Sequence, residues 1–432
     1  MQAEGYEIGS HPRDGDALMR DLRSGPTNRG GARGVSEHTY PIADYTAWFE
    51  QLPEAARDEI TARWGAPEDD PFVIGDAFHL AVRRYGNVVV GIQPVRGYNI
   101  DPKATYHDPA LVPPHGYLAF YRWLRESFGA HAVVHFGKHG NLEWLPGKAL
   151  ALSNRCWPDI ALGSLPNIYP FIVNDPGEGA QAKRRTSAVV VDHMTPPMTR
   201  AETYGPLRLL EGLLDEYAEA APVDPKRAER LAKTIVDEAE RTGLAEDLKI
   251  ERSGALGETL QRLDAALCDL KELQIRGGLH VFGASPVDDA RCDLLAALVR
   301  VPRGEAPEEQ SFQRALANEL GLIDFDPLDC DLGATWTGAR PCELERMSTD
   351  PWRTNGDTVE RIEAFAISLL RDPAGGAGTA PGPTSRAILA HVAGRIAPDL
   401  DACGARETSA LLAALDGRFV APGPSGAPTR GR

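Results

Sequence analysis

The sequence has no run approaching 18 apolar residues, so it offers no stretch of the length a membrane-spanning helix needs. Its start, "MQAEGYEIGSHPRDGD", lacks the apolar centre of a secretory signal. Cysteine is sparse: Cys156, Cys268, Cys292, Cys330, Cys342 and Cys403 include no C-x-x-C pair. That excludes a zinc site by cysteine spacing and reads as buried thiols in a reducing compartment. Positive charge is also short. A net charge of −16 argues against sequence-independent binding to nucleic acid or to an anionic membrane. A nucleotide-binding P-loop is missing too. Gly140 to Gly147-Lys148 has six intervening residues instead of four, with Ala149 where Ser or Thr should follow, and "GEGAQAK" has no second glycine before its lysine. No internal repeat is visible. A cytoplasmic globular protein is the expectation, and 432 residues with 42% hydrophobic and 25% charged content suit one.

What is present falls into three stretches. Residues 1–85 mix a glycine-rich segment, "SGPTNRGGARG", with one expected helix around "YTAWFEQLPEAARDEITARWG", and read as an incomplete N-terminal α/β segment. Residues 86–200 carry the β-rich runs "NVVVGIQ" (87–93), "AVVHF" (132–136), "NIYPFIVN" (167–174) and "SAVVVDHM" (187–194). "GYLAFYRWLRESFG" is apolar at helical spacing and ends on Gly129, where a helix C-cap belongs, and "EGAQAKRR" reads as a short helix. Continuous apolar strands alternating with helices predict an α/β core with a doubly wound, mostly parallel sheet. Residues 201–432 form a mainly helical region, with acidic amphipathic helices first and others near 309–320, 357–371 and 406–416. "RDPAGGAGTAPGPTS" reads as a linker or long surface loop.

Ligands of an open parallel sheet bind beyond the carboxyl ends of its strands. The segments there, "PVRGYN", "GKHGNLEW", "NDPGEGAQAKRR" and "HMTPP", supply Arg96, His135, Lys138, His139, Glu143, Asp175, Glu178, Lys183, Arg184, Arg185 and His193. Six of the eleven histidines lie between His107 and His193. Residues 131–200 hold seven basic groups against five acidic, a net +2, so the rest of the chain carries −18. A locally basic, histidine-rich mouth suits an anionic ligand handled beside groups fit for a transition metal.

Each feature also has a structural reading. Lone histidines such as His107, His115 and His280 are usually satisfied polar residues, the "KRR" triplet can be a solvated helix face, and "NDPGEG" can be a turn. His135, His139 and Glu143 stand at i, i+4 and i+8, as on a zinc-peptidase helix. Phe136 occupies the position that motif gives to glutamate, and Gly137 and Gly140 break the helix, so a strand ending near Phe136 and a polar loop are expected instead.

"HFGKHGNLEWLPGKALALS", "NIYPFIVNDPGEGAQAKRR", "DHMTPPMTRAETYG", "IQPVRGYNIDP" and "WRTNGDTVERIE" together resemble the large subunit of cobaltochelatase, a family shared with the H-type subunit of magnesium chelatase. The resemblance covers nearly the whole chain and implies an internal stretch of a longer subunit, with both ends missing. It implies ATP-dependent insertion of a divalent metal into a tetrapyrrole. ATP with Mg²⁺ would be hydrolysed by an AAA+ partner, alongside a further subunit with a metal-binding module.

For the cobalt branch the resemblance implies Co²⁺ and hydrogenobyrinic acid a,c-diamide, on the aerobic route to cobalamin. His135, His139 and Glu143 would accept ring protons and, with His193, hold the metal transiently. Arg96, Lys138, Lys148, Asn174, Asp175, Glu178, Lys183, Arg184 and Arg185 would hold the macrocycle. The magnesium branch typically has "FGTHGSLEFMPGK" and "NNPSEATIAKRR". Here Lys138, Asn141, Trp144, Leu145 and "DPGEGAQAKRR" look like the cobalt type. The alternatives are an H-type magnesium chelatase component acting on protoporphyrin, a tetrapyrrole-binding module that performs no metallation, and a metallohydrolase.

Overall fold

Short apolar strands separated by tight turns organise the first part of the chain. A computed structural model describes residues 2–27, 34–97, 110–137, 140–172, 176–195, 225–241, 280–372 and 381–421, with isolated helical positions between 210 and 263. The chain divides into two compact units, Met1–His193 with Ala410–Val420 and Met194–Ser409 with Ala421–Arg432.

The first unit holds three small sheets. Strands β1 (Thr39–Pro41), β2 (Val73–Ile74) and β3 (Ala77–His79) pair antiparallel in the order β1-β3-β2. Strands β4 (Val82–Tyr85) and β5 (Val88–Gly91) form an antiparallel hairpin closed by Gly86 and Asn87. Strands β6 (Val133–Val134), β7 (Asn167–Ile172) and β8 (Val189–His193) form a parallel sheet in the order β6-β7-β8.

The α/β class with a parallel core therefore holds, but that sheet has three strands, and the run 87–93 does not join it. The reason lies in the turn. A two-residue loop with Gly86 at φ 58° suits a hairpin, so the valines of β5 pair with the strand just before them. Every residue of β7 is buried, as a central parallel strand requires. Helix Trp157–Leu162 crosses from β6 to β7 and helix Pro176–Arg185 from β7 to β8.

The expected single helix over residues 45–65 is two, Ile42–Phe49 and Glu54–Trp64. Pro53 ends the pattern because its ring cannot continue a helix interior, yet it suits the position just before a new one. Helix His115–Glu126 runs through the core of this unit and buries Tyr117, Leu118, Phe120, Tyr121, Trp123 and Leu124. It ends as the sequence predicts. Gly129 takes φ 70° while the N–H groups of Phe128 and Ala130 bond the carbonyls of Trp123 and Leu124.

The second unit is mainly helical among its described residues. Its core gathers helices Asp288–Leu298, Phe312–Glu319, Asn355–Arg371 and Pro383–His391. The "WRTNGDTVERIE" stretch starts Asn355–Arg371 with a capping box. Thr354 Oγ1 accepts from Asp357 N–H at 3.2 Å, and the Asp357 carboxylate accepts from Thr354 N–H at 2.8 Å. Among the described cysteines Cys156 and Cys292 are buried and Cys330 and Cys403 half-buried. Cys342 departs from the expected burial because it opens a short surface helix, Cys342–Glu345. No helix among the described residues is long and apolar enough to cross a membrane.

Candidate functional site

The end of β6 delivers His135 to the edge of the sheet, where its N–H bonds the Ile168 carbonyl at 2.9 Å. Its ring is held on both sides. Asn167 donates from Nδ2 to Thr186 Oγ1 at 2.8 Å, so its Oδ1 faces His135 and accepts from Nδ1–H at 2.7 Å. Nε2 accepts from the Tyr121 hydroxyl at 2.8 Å. Burial holds the imidazole pKa below its usual value, against the opposing bond to Asn167, so His135 is neutral.

Successive strand residues face opposite ways, so Phe136 emerges on the other side of the sheet. It is 59% exposed and leans on the buried His193 ring with centroids 5.3 Å apart. His193 therefore lies on Phe136's side and not with His135. Among the described residues, no group of three or more His, Cys, Asp or Glu side chains could hold a metal ion. β-strand alternation thus puts His135 and His193 on opposite faces of the sheet. His139, Lys138, Asn174 and Asp175 lie outside the described residues, as does the side chain of Glu178.

After Gly140 the chain makes the 3₁₀ turn Leu142–Trp144, fastened by Leu142 and Leu145, which are 1% and 0% exposed. This turn buries Glu143 to 4% exposure and folds its carboxylate onto Gly140. Asn141 stands at the cap position of this turn, but its side chain does not cap. It accepts instead from the Tyr117 hydroxyl at 2.7 Å and donates to the Pro94 carbonyl at 3.1 Å.

Two of the expected basic residues are built into this framework. Arg185, at the end of helix Pro176–Arg185, donates to the main-chain carbonyls of Glu143 at 2.7 Å and Lys148 at 3.0 Å. Arg96 is buried, 6% exposed. Lys148 Nζ donates to the Ala151 carbonyl at 3.4 Å. Lys183 and Arg184 are exposed on the last turn of their helix. His115 is a satisfied core residue bonded to the Tyr45 hydroxyl and the Gly65 carbonyl, and His280 bonds Glu407.

Burial lifts the Tyr117 hydroxyl well above its ordinary pKa, with Tyr121 and the Glu143 charge adding to the rise and Arg96 opposing it. Burial raises Tyr121 likewise, partly offset by the bond from Gln93 and by the neighbouring Tyr117 hydroxyl, with Glu143 adding again. The site is thus a buried carboxylate, two protonated phenols, a neutral imidazole and an arginine that holds the loop. It can accept a proton or face a cation at Glu143. Sequence patterns alone place Tyr117 and Tyr121 in the core and give no role to Gln93, Asn167 or Thr186. The available signal was two tyrosines four apart in an apolar helix, whose hydroxyls need buried partners.

Comparison with known proteins points the same way. A family model for CobN/Magnesium Chelatase matches residues 1–432. The chain is 53% identical to an aerobic cobaltochelatase CobN component of a Sinorhizobium species and 52% identical to that of Pseudomonas aeruginosa. Both matches cover all of this chain and 35% of the relative. It is 35% identical to the H-type magnesium-chelatase component of Rhodobacter capsulatus, over 75% of this chain and 26% of that one. The solved catalytic subunit of cobaltochelatase from Mycobacterium tuberculosis matches 98% of this chain with 35% of its own. Its TM-score is 0.62 at 37% identity. The chain thus spans about a third of the length of these two cobaltochelatase relatives.

Proposed function

The chain belongs to the CobN/Magnesium Chelatase family, and from that premise we propose that it is part of the large subunit of an ATP-dependent cobaltochelatase. In this reading the whole subunit binds hydrogenobyrinic acid a,c-diamide and inserts Co²⁺, the substrate metal, during cobalamin synthesis. An AAA+ partner hydrolyses ATP with Mg²⁺, and a further subunit carries a metal-binding module. The observation that carries this reading is the buried Glu143 carboxylate, presented on a fastened turn directly after Gly140 and Asn141.

Metallation must remove a ring N–H proton as the cation enters. Glu143 accepts that proton or neutralises the incoming charge, work for which a positioned carboxylate is suited. His139 shares it, while His135, with both nitrogens committed to protein, orients the loop. Imidazole and carboxylate serve Co²⁺ and Mg²⁺ alike, so site chemistry does not choose the metal. Identity of 53% and 52% to two cobaltochelatase relatives, against 35% to a magnesium-chelatase one, favours cobalt.

The test is to titrate the full-length subunit with hydrogenobyrinic acid a,c-diamide and with protoporphyrin, following absorbance, and then to supply partners, ATP and metal. Preferential binding of the former with cobalt incorporation is expected. Preference for protoporphyrin with magnesium incorporation, or binding without any insertion, would replace this reading.

Lys183 and Arg184, exposed at the end of their helix, supply positive charge for the macrocycle's peripheral carboxylates. Replacing both with alanine should weaken macrocycle binding about tenfold at low salt, the scale of one charge-assisted bond. Added salt should shrink the gap between variant and parent. Equal affinities at low salt would leave the pair as a solvated helix face.

A further inference from the structure

We infer that Tyr117 and Tyr121 are positioning residues, a pair of hydroxyls that holds His135 and Asn141 in place and, through Asn141, the turn carrying Glu143. The inference rests on the function proposed above. The two tyrosines stand four apart on helix His115–Glu126 and so share one face. Both are 0% exposed. A tyrosine hydroxyl in a core is costly unless paired, and phenylalanine would fill the same space without that cost. The partners explain the choice. Tyr121 reaches His135 at 2.8 Å and Tyr117 reaches Asn141 at 2.7 Å, the two ends of the segment. Gln93 Nε2 ties the hydroxyls together, donating to Tyr121 at 2.7 Å and to Tyr117 at 3.4 Å.

Between the gripped residues lie Gly137 and Gly140, whose backbones have the widest conformational freedom of any residue type. The backbone positions of His135 and Asn141 therefore depend on bonds made by their own side chains. The direction of each bond is set from the far side. Asn167, oriented by Thr186, keeps the proton on His135 Nδ1, so Nε2 must accept from Tyr121. The Pro94 carbonyl orients the Asn141 amide, so its oxygen must accept from Tyr117. The helix is thus a rigid template for His135 and Asn141, and Glu143 follows two residues after Asn141.

The experiment compares Tyr117→Phe and Tyr121→Phe with the parent in the full-length subunit. Amide hydrogen exchange is followed over peptides within 136–145, and cobalt insertion is followed per bound macrocycle. Each variant should exchange about tenfold faster there, the worth of one buried hydrogen bond. Insertion per bound macrocycle should fall by about the same factor, with the number of macrocycles bound unchanged. A general loss of folding would lower binding capacity instead. Tyr121→Phe should also add little in a His135→Gln background, since it acts through that ring. Unchanged exchange overturns the clamp, and faster exchange with an unchanged insertion rate overturns its link to the chemistry. A parent subunit that inserts no cobalt defeats the proposed function, while the exchange arm still decides whether the clamp exists.

Discussion

Replacing Glu143 with glutamine is expected to lower cobalt insertion by about 10³-fold, within the range a positioned acid–base group contributes. Glutamine has nearly the same shape, so the side chain can still lie against Gly140 inside the Leu142–Trp144 turn. The turn itself is held by Leu142 and Leu145 in the core and by Arg185 on the Glu143 carbonyl; these contacts remain, while Arg185 loses the favourable field of the carboxylate. What disappears is the negative charge and the basic oxygen. Because that charge raises the pKa of both Tyr117 and Tyr121, the two phenols should ionise slightly more readily in the variant. Macrocycle affinity should stay within a few-fold, since in the proposed reading the basic residues, not Glu143, meet the peripheral carboxylates. The measurement is single-turnover cobalt incorporation by the full-length subunit with its partners, alongside an absorbance titration. Insertion within threefold of the parent would remove Glu143 from the chemistry.

Gly140→Ala should lower the same rate by about 10²-fold without changing any ionisable group, as a misplacement of about 1 Å can. A Cβ at this position would lie 2.5 and 2.6 Å from the two Glu143 carboxylate oxygens, closer than such atoms approach. One of them has to move, and Glu143, 4% exposed, has little free space around it. The carboxylate is therefore displaced while the rest of the turn stays anchored. If displacement is the whole effect, the double variant Gly140→Ala with Glu143→Gln should be no slower than Glu143→Gln alone. Multiplying losses in the double variant would mean that Gly140 acts on something other than this carboxylate.

Local patterns in the chain determined much of this protein. The long motifs identified its family, and the apolar runs 132–136, 167–174 and 187–194 marked strands that share one parallel sheet. Apolar spacing and Gly129 marked helix His115–Glu126 and its end. These features are legible because burial repeats along the chain at a period set by the backbone. The partner of each polar group is not written locally. Val88–Gly91 reads like a buried parallel strand, yet the Gly86–Asn87 turn gives it to β4. Asn141 sits at a cap position, yet its side chain turns toward Tyr117, which lies 24 positions earlier. Arg185 reads as a ligand for an anion, and only the packing of its helix against the turn at Glu143 shows it bonded to carbonyls 37 and 42 positions away. His135 follows β6 and His193 ends β8, but the alternation of side chains across the sheet puts them on opposite faces. Residue types and periods therefore fixed which groups are present and which elements carry them. Only the crossing of distant segments decided which groups meet, because hydrogen bonds are satisfied by proximity in space and not by separation along the chain.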